Sequence, residues 1–302
     1  MQEIARDVAV IPMMIANSYL VGNQRSWVAV DAGTPGHEKK IIEAAEARFG
    51  PGSRPQAIVL THGHFDHSGS APALADHWGV RVYAHLLERP YLTGRSEYPP
   101  FDPTTPGFFS AVSRLMPSKT INLGDRFTAF EDAPVPPGMD DWELLRTPGH
   151  TPGHVSFLRR SDGVLLVGDA FTTMDLETFT GTVTKRRQIS RPPLYATTDW
   201  AQAGASIRLL ADLNPRVVAA GHGKPMREAG GELREFARNF QPPSHGRYVP
   251  EPAEADEHGI LYLPPKPADP VPAIAASVAA GVLVGAAAVA VARHRSRAAI
   301  EA

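Results

Sequence analysis

The sequence contains no cysteine among its 302 residues, and this absence excludes several kinds of site. Disulfides, thiolate nucleophiles, cysteine-type zinc fingers and cysteine-ligated iron–sulfur clusters all need a thiol. Any metal site must therefore use mainly nitrogen and oxygen ligands. The absence does not indicate a compartment, because cytosolic and exported chains can both lack cysteine.

The sequence also lacks an excess of charge of either sign. Thirty Lys and Arg stand against 32 Asp and Glu, which gives a formal net charge of −2 with neutral histidines. This balance gives no broad attraction to nucleic acid, so we expect no nucleic-acid partner. Hydrophobic residues make up 43% and charged residues 21%, as in ordinary globular proteins, which argues against wholesale disorder.

Strand-like and helix-like patterns alternate along the first 240 residues. The run 57–60 is continuously apolar, which is typical of a buried strand, whereas apolar residues within 36–49 recur on one helix face. Such alternation is typical of a layered α/β fold. The predicted strands are 8–16, 18–21, 26–30, 57–60, 80–83, 142–146, 155–158, 164–167 and 217–220, and the predicted helices are 36–49, 69–79, 198–213 and 228–240.

Proline marks the places where this alternation breaks. Residues 90–140 are crowded with Pro and Gly, and we consider both a lid and a surface insertion without a role. A second proline-rich stretch follows residue 240, and it is either a semi-rigid linker or an extended segment on the domain surface. The sequence thus predicts a catalytic domain at 1–245 and a proline-rich linker at 246–270.

The chain ends in an apolar segment and a basic tail. Residues 271–292 carry no charge and are long enough for a transmembrane helix, and the basic tail at 293–302 contains three arginines. Such a tail prefers the cytoplasmic side, and nothing at the N-terminus resembles an export signal. We therefore expect a cytoplasmic catalytic domain anchored to a membrane by 271–292. An apolar helix lying at the interface or docked on the domain is the alternative.

The strongest functional signal is the run Thr61-His62-Gly63-His64-Phe65-Asp66-His67, directly after the predicted strand 57–60. Three histidines and one aspartate this close together are hard to explain by packing. Alternate side chains at the end of a strand can point to one place, so His62 and His64 can share a metal. Asp66 and His67 can then face a second site.

Further residues of the same chemical type follow other predicted strands. His150 follows the strand 142–146, Asp169 follows 164–167, and His222 follows 217–220. The carboxyl ends of strands are where α/β folds build their sites. Four strands are thus expected to deliver ligand-type residues to comparable positions.

The combined order, HxHxDH and then His, Asp and His, resembles the signature of the metallo-β-lactamase superfamily over about residues 8–240. The resemblance implies an αβ/βα four-layer sandwich and a stand-alone metallohydrolase with a core like that of glyoxalase II and the lactonases. It also implies that Asp31 supports the metal loop, although a plain turn residue is an equal alternative. His154 is expected to be structural. The resemblance assigns one metal to His62, His64 and His150 and a second metal to Asp66, His67 and His222, with Asp169 bridging both.

The resemblance further implies a reaction. Two divalent metal ions, most simply Zn²⁺ with Fe or Mn as alternatives, would hold a bridging hydroxide that attacks an ester, thioester or lactone carbonyl of a small-molecule substrate. Asp66 would orient that water and carry its proton to the leaving group. Phe101, Phe108, Phe109, Phe171 and Tyr195 are expected either to line an apolar pocket or to pack within a lid.

Two other functions stay open at this point. A persulfide dioxygenase with a single iron uses the same fold, and here its ligands would be His62, His150 and Asp169. A membrane-tethered binding protein with an inactive site is the second alternative, which the complete ligand set argues against.

Overall fold

The computed structural model describes residues 1–117, 121–130 and 136–269. The chain divides after residue 265, and the first unit, Met1–Pro265, is compact. The predicted transmembrane helix at 271–292 and the basic tail at 293–302 lie outside the described residues. Within the described ranges, no helix is long and apolar enough to cross a membrane.

The described residues form fourteen strands and eight α-helices. The strands are β1 (Gln2–Ala5), β2 (Val8–Pro12), β3 (Asn17–Asn23), β4 (Ser26–Val30), β5 (Ile58–Val59), β6 (Val82–Ala84), β7 (Phe127–Ala129), β8 (Glu143–Arg146), β9 (Val155–Arg159), β10 (Val164–Gly168), β11 (Val217–Ala220), β12 (Met226–Arg227), β13 (Glu254–Asp256) and β14 (Gly259–Tyr262). The α-helices are α1 (Glu38–Phe49), α2 (Phe65–Ser68), α3 (Ala71–Trp78), α4 (Arg89–Leu92), α5 (Phe108–Val112), α6 (Phe179–Thr184), α7 (Trp200–Asp212) and α8 (Gly230–Arg238).

Two mixed sheets form the centre of the first unit. The larger sheet has the order β1-β2-β3-β4-β5-β6-β7, antiparallel from β1 to β4 and parallel from β4 to β7. The smaller sheet has the order β12-β11-β10-β9-β8, in which β10 and β11 pair in parallel and the other neighbours are antiparallel. Strands β8, β10 and β11 therefore run in the same direction.

The buried side chains show how these sheets are layered. Alternate residues of one strand enter different cores: Ile58 packs with α1 and α3 side chains such as Ile41 and Leu74, whereas Val59 faces β9 and β10 of the other sheet. The outer face of the smaller sheet buries its side chains against α7 and α8. The order of layers is helix, sheet, sheet, helix, as the predicted αβ/βα sandwich requires.

Local signals set the ends of the helices. Helix α7 begins at Trp200 because the Asp199 carboxylate accepts a hydrogen bond from the Gln202 backbone N–H at 2.9 Å. Helix α3 ends at Trp78 because Gly79 takes the left-handed conformation, with φ of 62°. The helices predicted at 198–213 and 69–79 lie within two residues of these bounds.

The proline-rich segment after residue 240 packs onto the catalytic domain. The side chain of Tyr248 is buried, and its hydroxyl donates to the Pro100 carbonyl at 2.7 Å. The Ala253 N–H donates to the Thr198 carbonyl at 3.0 Å, and β13 and β14 then form a hairpin. The compact unit extends to Pro265, beyond the boundary expected at residue 245, and the segment lies on the domain surface, which was one of the two alternatives. This segment forms hydrogen bonds with residues that are distant in the sequence, and its amino-acid composition does not predict such contacts.

Candidate metal centre

The centre forms where strands of the two sheets end side by side. The loop after β5 carries His62 and His64, and α2 follows at once with Asp66 and His67. The loops after β8, β10 and β11 come from the other sheet and leave it at one edge. The Val155 N–H donates to the Thr61 carbonyl at 3.0 Å, which ties the two sheets together beside these loops.

All seven residues predicted as ligands meet at this edge, and all are buried. Their possible ligand atoms form three overlapping groups, and within each group these atoms lie within 4.8 Å of one another. The overlap makes this one continuous cluster. The groups are His62 with His64 and His150, His62 with His67 and Asp169, and Asp66 with His67 and His222.

Asp169 lies between the groups. Its Oδ1 is 3.5 Å from His67 Nε2, and its Oδ2 is 3.6 Å from His150 Nε2 and 3.0 Å from His222 Nε2. Asp66 Oδ2 lies 3.5 Å from the same His222 nitrogen. One carboxylate thus faces imidazoles of both halves of the cluster.

Hydrogen bonds fix the tautomers of His62 and His150. The Thr61 hydroxyl donates to Asp31 Oδ2 at 2.9 Å, so it can only accept from His62 Nδ1, 3.0 Å away. The Thr197 hydroxyl donates to the Pro193 carbonyl at 2.8 Å and accepts from His150 Nδ1 at 3.2 Å. Each neutral ring therefore carries its hydrogen on Nδ1 and turns the Nε2 lone pair toward the cluster.

His67 and His222 are oriented in the same way by oxygen atoms that can only accept. His67 Nδ1 donates to Asp31 Oδ2 at 2.8 Å, and His222 Nδ1 donates to the Ile15 carbonyl at 2.9 Å. The Asp31 carboxylate is buried and also accepts from the Thr61 N–H at 2.8 Å. Support of this kind around imidazoles is usual at metal sites.

Several atoms of the cluster are buried and find no hydrogen-bond partner among the described residues. They are His62 Nε2, His67 Nε2 and Asp169 Oδ1, which all face the same space. Buried polar atoms are almost always paired in proteins, so such a concentration needs an explanation. Imidazole and carboxylate donors are the set that Zn, Fe and Mn bind. The residues present therefore fit a metal.

In the metal-free protein, the histidines of the cluster have pKa values shifted in opposite directions. Burial lowers the pKa of His62 and His150 well below the ordinary value, with a further lowering from neighbouring histidines. Burial alone would also lower the pKa of His67 and His222, but the surrounding carboxylates together raise it, Asp169 and Asp66 at both rings and Asp31 at His67. Burial would raise the pKa of Asp169, yet His222 and His67 hold it well below the usual range.

His154 holds Asp169 in place. Its Nε2 accepts a hydrogen bond from the Asp169 N–H at 2.8 Å, and its Nδ1 lies 2.9 Å from the Thr147 hydroxyl. Burial lowers the pKa of His154 to about 4, which keeps that accepting nitrogen unprotonated. The His154 lone pair is therefore engaged by the backbone, whereas His150 Nε2 lies 2.9 Å from His64 Nδ1 within the cluster.

An aromatic wall stands beside His64. The rings of Tyr98 and Phe101 lie 4.5 and 5.7 Å from its imidazole, and Phe101 contacts Tyr195 edge-on at 5.3 Å. Phe109 packs 6.3 Å from Tyr195. Sequence reasoning missed Tyr98, whose neighbours Glu97 and Pro99 give no sign of a site.

Two of the five aromatic residues expected in a pocket or in a lid have other principal contacts. Phe171 is fully buried in the core between the smaller sheet and its helices, so it lines no pocket. Phe108 packs against Phe179 at 5.3 Å and against Phe109 at 5.5 Å, and neither Tyr98 nor Phe101 is among its ring contacts within the described residues. The presence of an aromatic residue in the sequence does not indicate whether its side chain lies in the core or at a pocket.

The fold and the cluster together define a metal-dependent enzyme class, and comparison with known proteins places the chain within it. The sequence pattern of the Metallo-beta-lactamase superfamily matches residues 12–222, and the chain belongs to this superfamily. It is similar to "Probable metallo-hydrolase YflN" of Bacillus subtilis (strain 168), with 39% identity over 244 residues, 79% of this chain and 92% of that protein.

Two further similarities bear on chemistry. A hydroxyacylglutathione hydrolase of Acidiphilium cryptum (strain JF-5) is 28% identical over 235 residues, 77% of this chain and 72% of that protein. The crystal structure of TTHA1623 in a di-iron-bound form matches with a TM-score of 0.51 and 25% identity, covering 76% of this chain and 96% of that one.

Proposed function

We propose that this protein hydrolyses esters, thioesters or lactones with the help of two divalent metal ions, Zn²⁺ in the first instance. The observation that carries the proposal is the set of buried, unpartnered nitrogen and oxygen atoms within one cluster of the described residues. Membership in the superfamily and similarity to a metallo-hydrolase support hydrolysis. Similarity to a hydroxyacylglutathione hydrolase supports a carbonyl substrate.

The ligands divide according to the groups of the cluster. One ion would be held by His62, His64 and His150. The other would be held by Asp66, His67 and His222, with Asp169 shared, since that carboxylate faces both groups. Such ions lower the pKa of a water molecule and polarise a carbonyl oxygen.

Asp66 is the residue we assign to proton transfer. Its Oδ2 lies 3.5 Å from His222 Nε2, so the carboxylate is inside the cluster, and α2 holds it there. A carboxylate at this place can accept a proton from the attacking water and return it to the departing alkoxide or thiolate.

The aromatic wall of Tyr98, Phe101 and Tyr195 would bind the apolar part of the substrate. These rings stand beside His64, on the side of the His62, His64 and His150 group. Such rings offer apolar surface with few polar groups, as small-molecule sites usually do. A substrate with an acyl or aryl group next to its carbonyl suits this wall.

The test combines metal content with a panel of substrates. The full chain is expected to hold about two metal ions and to hydrolyse at least one aryl ester, thioester or lactone, with loss of activity on chelation. His62→Ala should lose metal and activity, whereas His77→Ala, a histidine exposed on α3, should keep both. A folded chain without metal after reconstitution would refute the proposal. One iron per chain with oxygen uptake on persulfides would replace it by the dioxygenase.

A further inference from the structure

A buried carboxylate outside the cluster joins two of its loops. Glu88 lies at the end of a 3-10 turn, Leu86–Glu88, which follows β6. Its side chain is 0% exposed. Because β6 is the parallel neighbour of β5, the turn that follows it lies beside the loop that carries His62 and His64.

The four hydrogen bonds of Glu88 divide evenly between its two oxygens. Oε2 accepts from the Gly63 N–H at 2.9 Å and from the Tyr98 hydroxyl. Oε1 accepts from the Thr151 hydroxyl and the Gly153 N–H, each at 2.8 Å. One carboxylate therefore holds the backbone between His62 and His64 on one side and the loop after His150 on the other.

Glu88 and its partner Tyr98 pack closely against the two glycines Gly63 and Gly153. Neither Gly63 nor Gly153 has the left-handed backbone that favours glycine. A Cβ at Gly153 would lie 2.7 Å from Glu88 Cγ and 2.8 Å from its Oε1, and a Cβ at Gly63 would lie 2.5 Å from the Tyr98 hydroxyl oxygen. The space that a side chain would take is occupied by Glu88 and its partner Tyr98.

We propose that Glu88 is a positioning residue that sets the distance between the loop bearing His62 and His64 and the loop bearing His150. This inference rests on the proposed function, since the three histidines are assigned there to one metal ion. It adds a residue that itself contacts none of the cluster side chains in its four hydrogen bonds.

The arrangement requires two accepting oxygens, which makes glutamine an informative substitute. The amide of Glu88→Gln has the same shape, but its NH₂ group would face either the Gly63 N–H or the Gly153 N–H. Two donors cannot bond to each other, so the glutamine loses the contact with one of the two loops. The Gly63 N–H has a second acceptor in the Tyr98 hydroxyl oxygen at 2.9 Å, whereas the Gly153 N–H depends on the carboxylate. Gly153→Ala perturbs the same contact from the other side and keeps the carboxylate.

The experiment measures metal affinity by competition with a chromophoric chelator, together with the melting temperature of the metal-free protein. Glu88→Gln and Gly153→Ala are each expected to weaken the binding of one metal equivalent by about 10- to 100-fold, the range usual for residues that orient ligands. The second equivalent should change less, because its ligands lie on α2 and after β11.

Two matched controls separate positioning from general stability. Asp102 is equally buried and accepts from the Thr104 N–H at 2.9 Å and the Thr104 hydroxyl at 2.6 Å, so Asp102→Asn should lower the melting temperature and keep the metal affinity. A Cβ added at Gly231 would meet no atom of the described residues within 4 Å, so Gly231→Ala should keep the metal affinity. Because alanine favours the helix α8 more than glycine does, this variant should raise the melting temperature slightly.

The outcomes distinguish this inference from the function on which it rests. Wild-type protein that binds no metal overturns both. Wild-type protein that binds two ions, with Glu88→Gln binding them equally well, overturns the role of Glu88 alone. If Glu88→Gln does not fold, Gly153→Ala decides: unchanged affinity overturns the role, and a selective loss of one equivalent supports it.

Discussion

The carboxylate of Asp31 offers the sharpest test of how the cluster is held. It accepts hydrogen bonds from the Thr61 N–H at 2.8 Å, the Thr61 hydroxyl at 2.9 Å and His67 Nδ1 at 2.8 Å. Asp31→Ala leaves these buried donors without an acceptor, at roughly 1–3 kcal/mol each. The backbone at Asp31 has φ of 58°, which alanine tolerates less well than aspartate or asparagine, by roughly 1 kcal/mol.

The sum predicts that Asp31→Ala lowers the free energy of unfolding by about 4–10 kcal/mol, a large part of the roughly 5–15 kcal/mol typical of a domain. Asp31→Asn should behave differently. Its amide oxygen can still accept from the Thr61 N–H, and asparagine tolerates the left-handed backbone. We therefore expect a smaller stability loss, about 1–2 kcal/mol, from the weaker bond to His67.

The asparagine variant should nevertheless lose metal affinity by about 10- to 100-fold. An NH₂ group beside His67 Nδ1 favours the tautomer with the hydrogen on Nε2, which then points into the cluster. Urea unfolding of the metal-free protein and a metal-competition titration measure the two effects separately. Asp31→Asn that binds metal as tightly as wild type, or Asp31→Ala that costs less than about 1 kcal/mol, would refute the reasoning.

The remaining predictions concern pH, catalysis, metal removal and the C-terminus. The pKa of His154 is about 4 in the folded protein and about 6.5 in the unfolded chain, so below pH 6.5 the unfolded chain binds a proton that the folded protein does not. The free energy of unfolding should therefore fall by roughly 3 kcal/mol as the pH is lowered from 6.5 to 4. His154→Gln should remove that part of the slope in urea unfolding; an unchanged slope contradicts the assignment. Asp66→Asn should lower kcat about 10²- to 10⁴-fold at saturating metal, and activity within a few-fold of wild type would contradict its role. Metal at a thousand times its Kd should stabilise the fold by about 4 kcal/mol, seen as a lower melting temperature after chelation, and no change on chelation would argue against a bound metal. Removal of 271–302 should release the chain from a membrane fraction; if the full chain is already in the supernatant, the expected anchor is wrong.

The grouping of the predicted ligands could be predicted from the sequence because each follows a predicted strand. Four such strands, each followed by His or Asp, restrict the geometry strongly, since strand ends of a layered fold meet at one edge. Asp31 was singled out by its order in the chain, and the structure places it against His67 and Thr61.

The residues that hold the ligands could not be found in this way. Glu88 lies 63 positions from Thr151, and within Leu86-Leu87-Glu88-Arg89 it resembles any surface carboxylate. Ile15 supports His222 through its backbone carbonyl, which is independent of side-chain identity. Tyr248 packs under Pro100 from 148 positions away. Such contacts join residues that are far apart in the sequence, and the local pattern of residue types does not predict them.

Strand β1 is an element that the sequence pattern does not predict. Only Ile4 of Gln2–Ala5 is buried, so the segment has neither an apolar run nor a clean alternation. Its pairing with β2 is what makes it a strand. An edge strand of this kind obtains its structure from its neighbour.

The division of the cluster between two sheets has a mechanical consequence. His62, His64, Asp66 and His67 belong to the first half of the unit Met1–Pro265 and follow the larger sheet, whereas His150, Asp169 and His222 belong to its second half and follow the smaller sheet. A metal ion held by both sets would act as a reversible crosslink across the interface between the sheets. Separation of the two halves would require that this crosslink open first, so the lifetime of the folded state would be governed by the release of the ion.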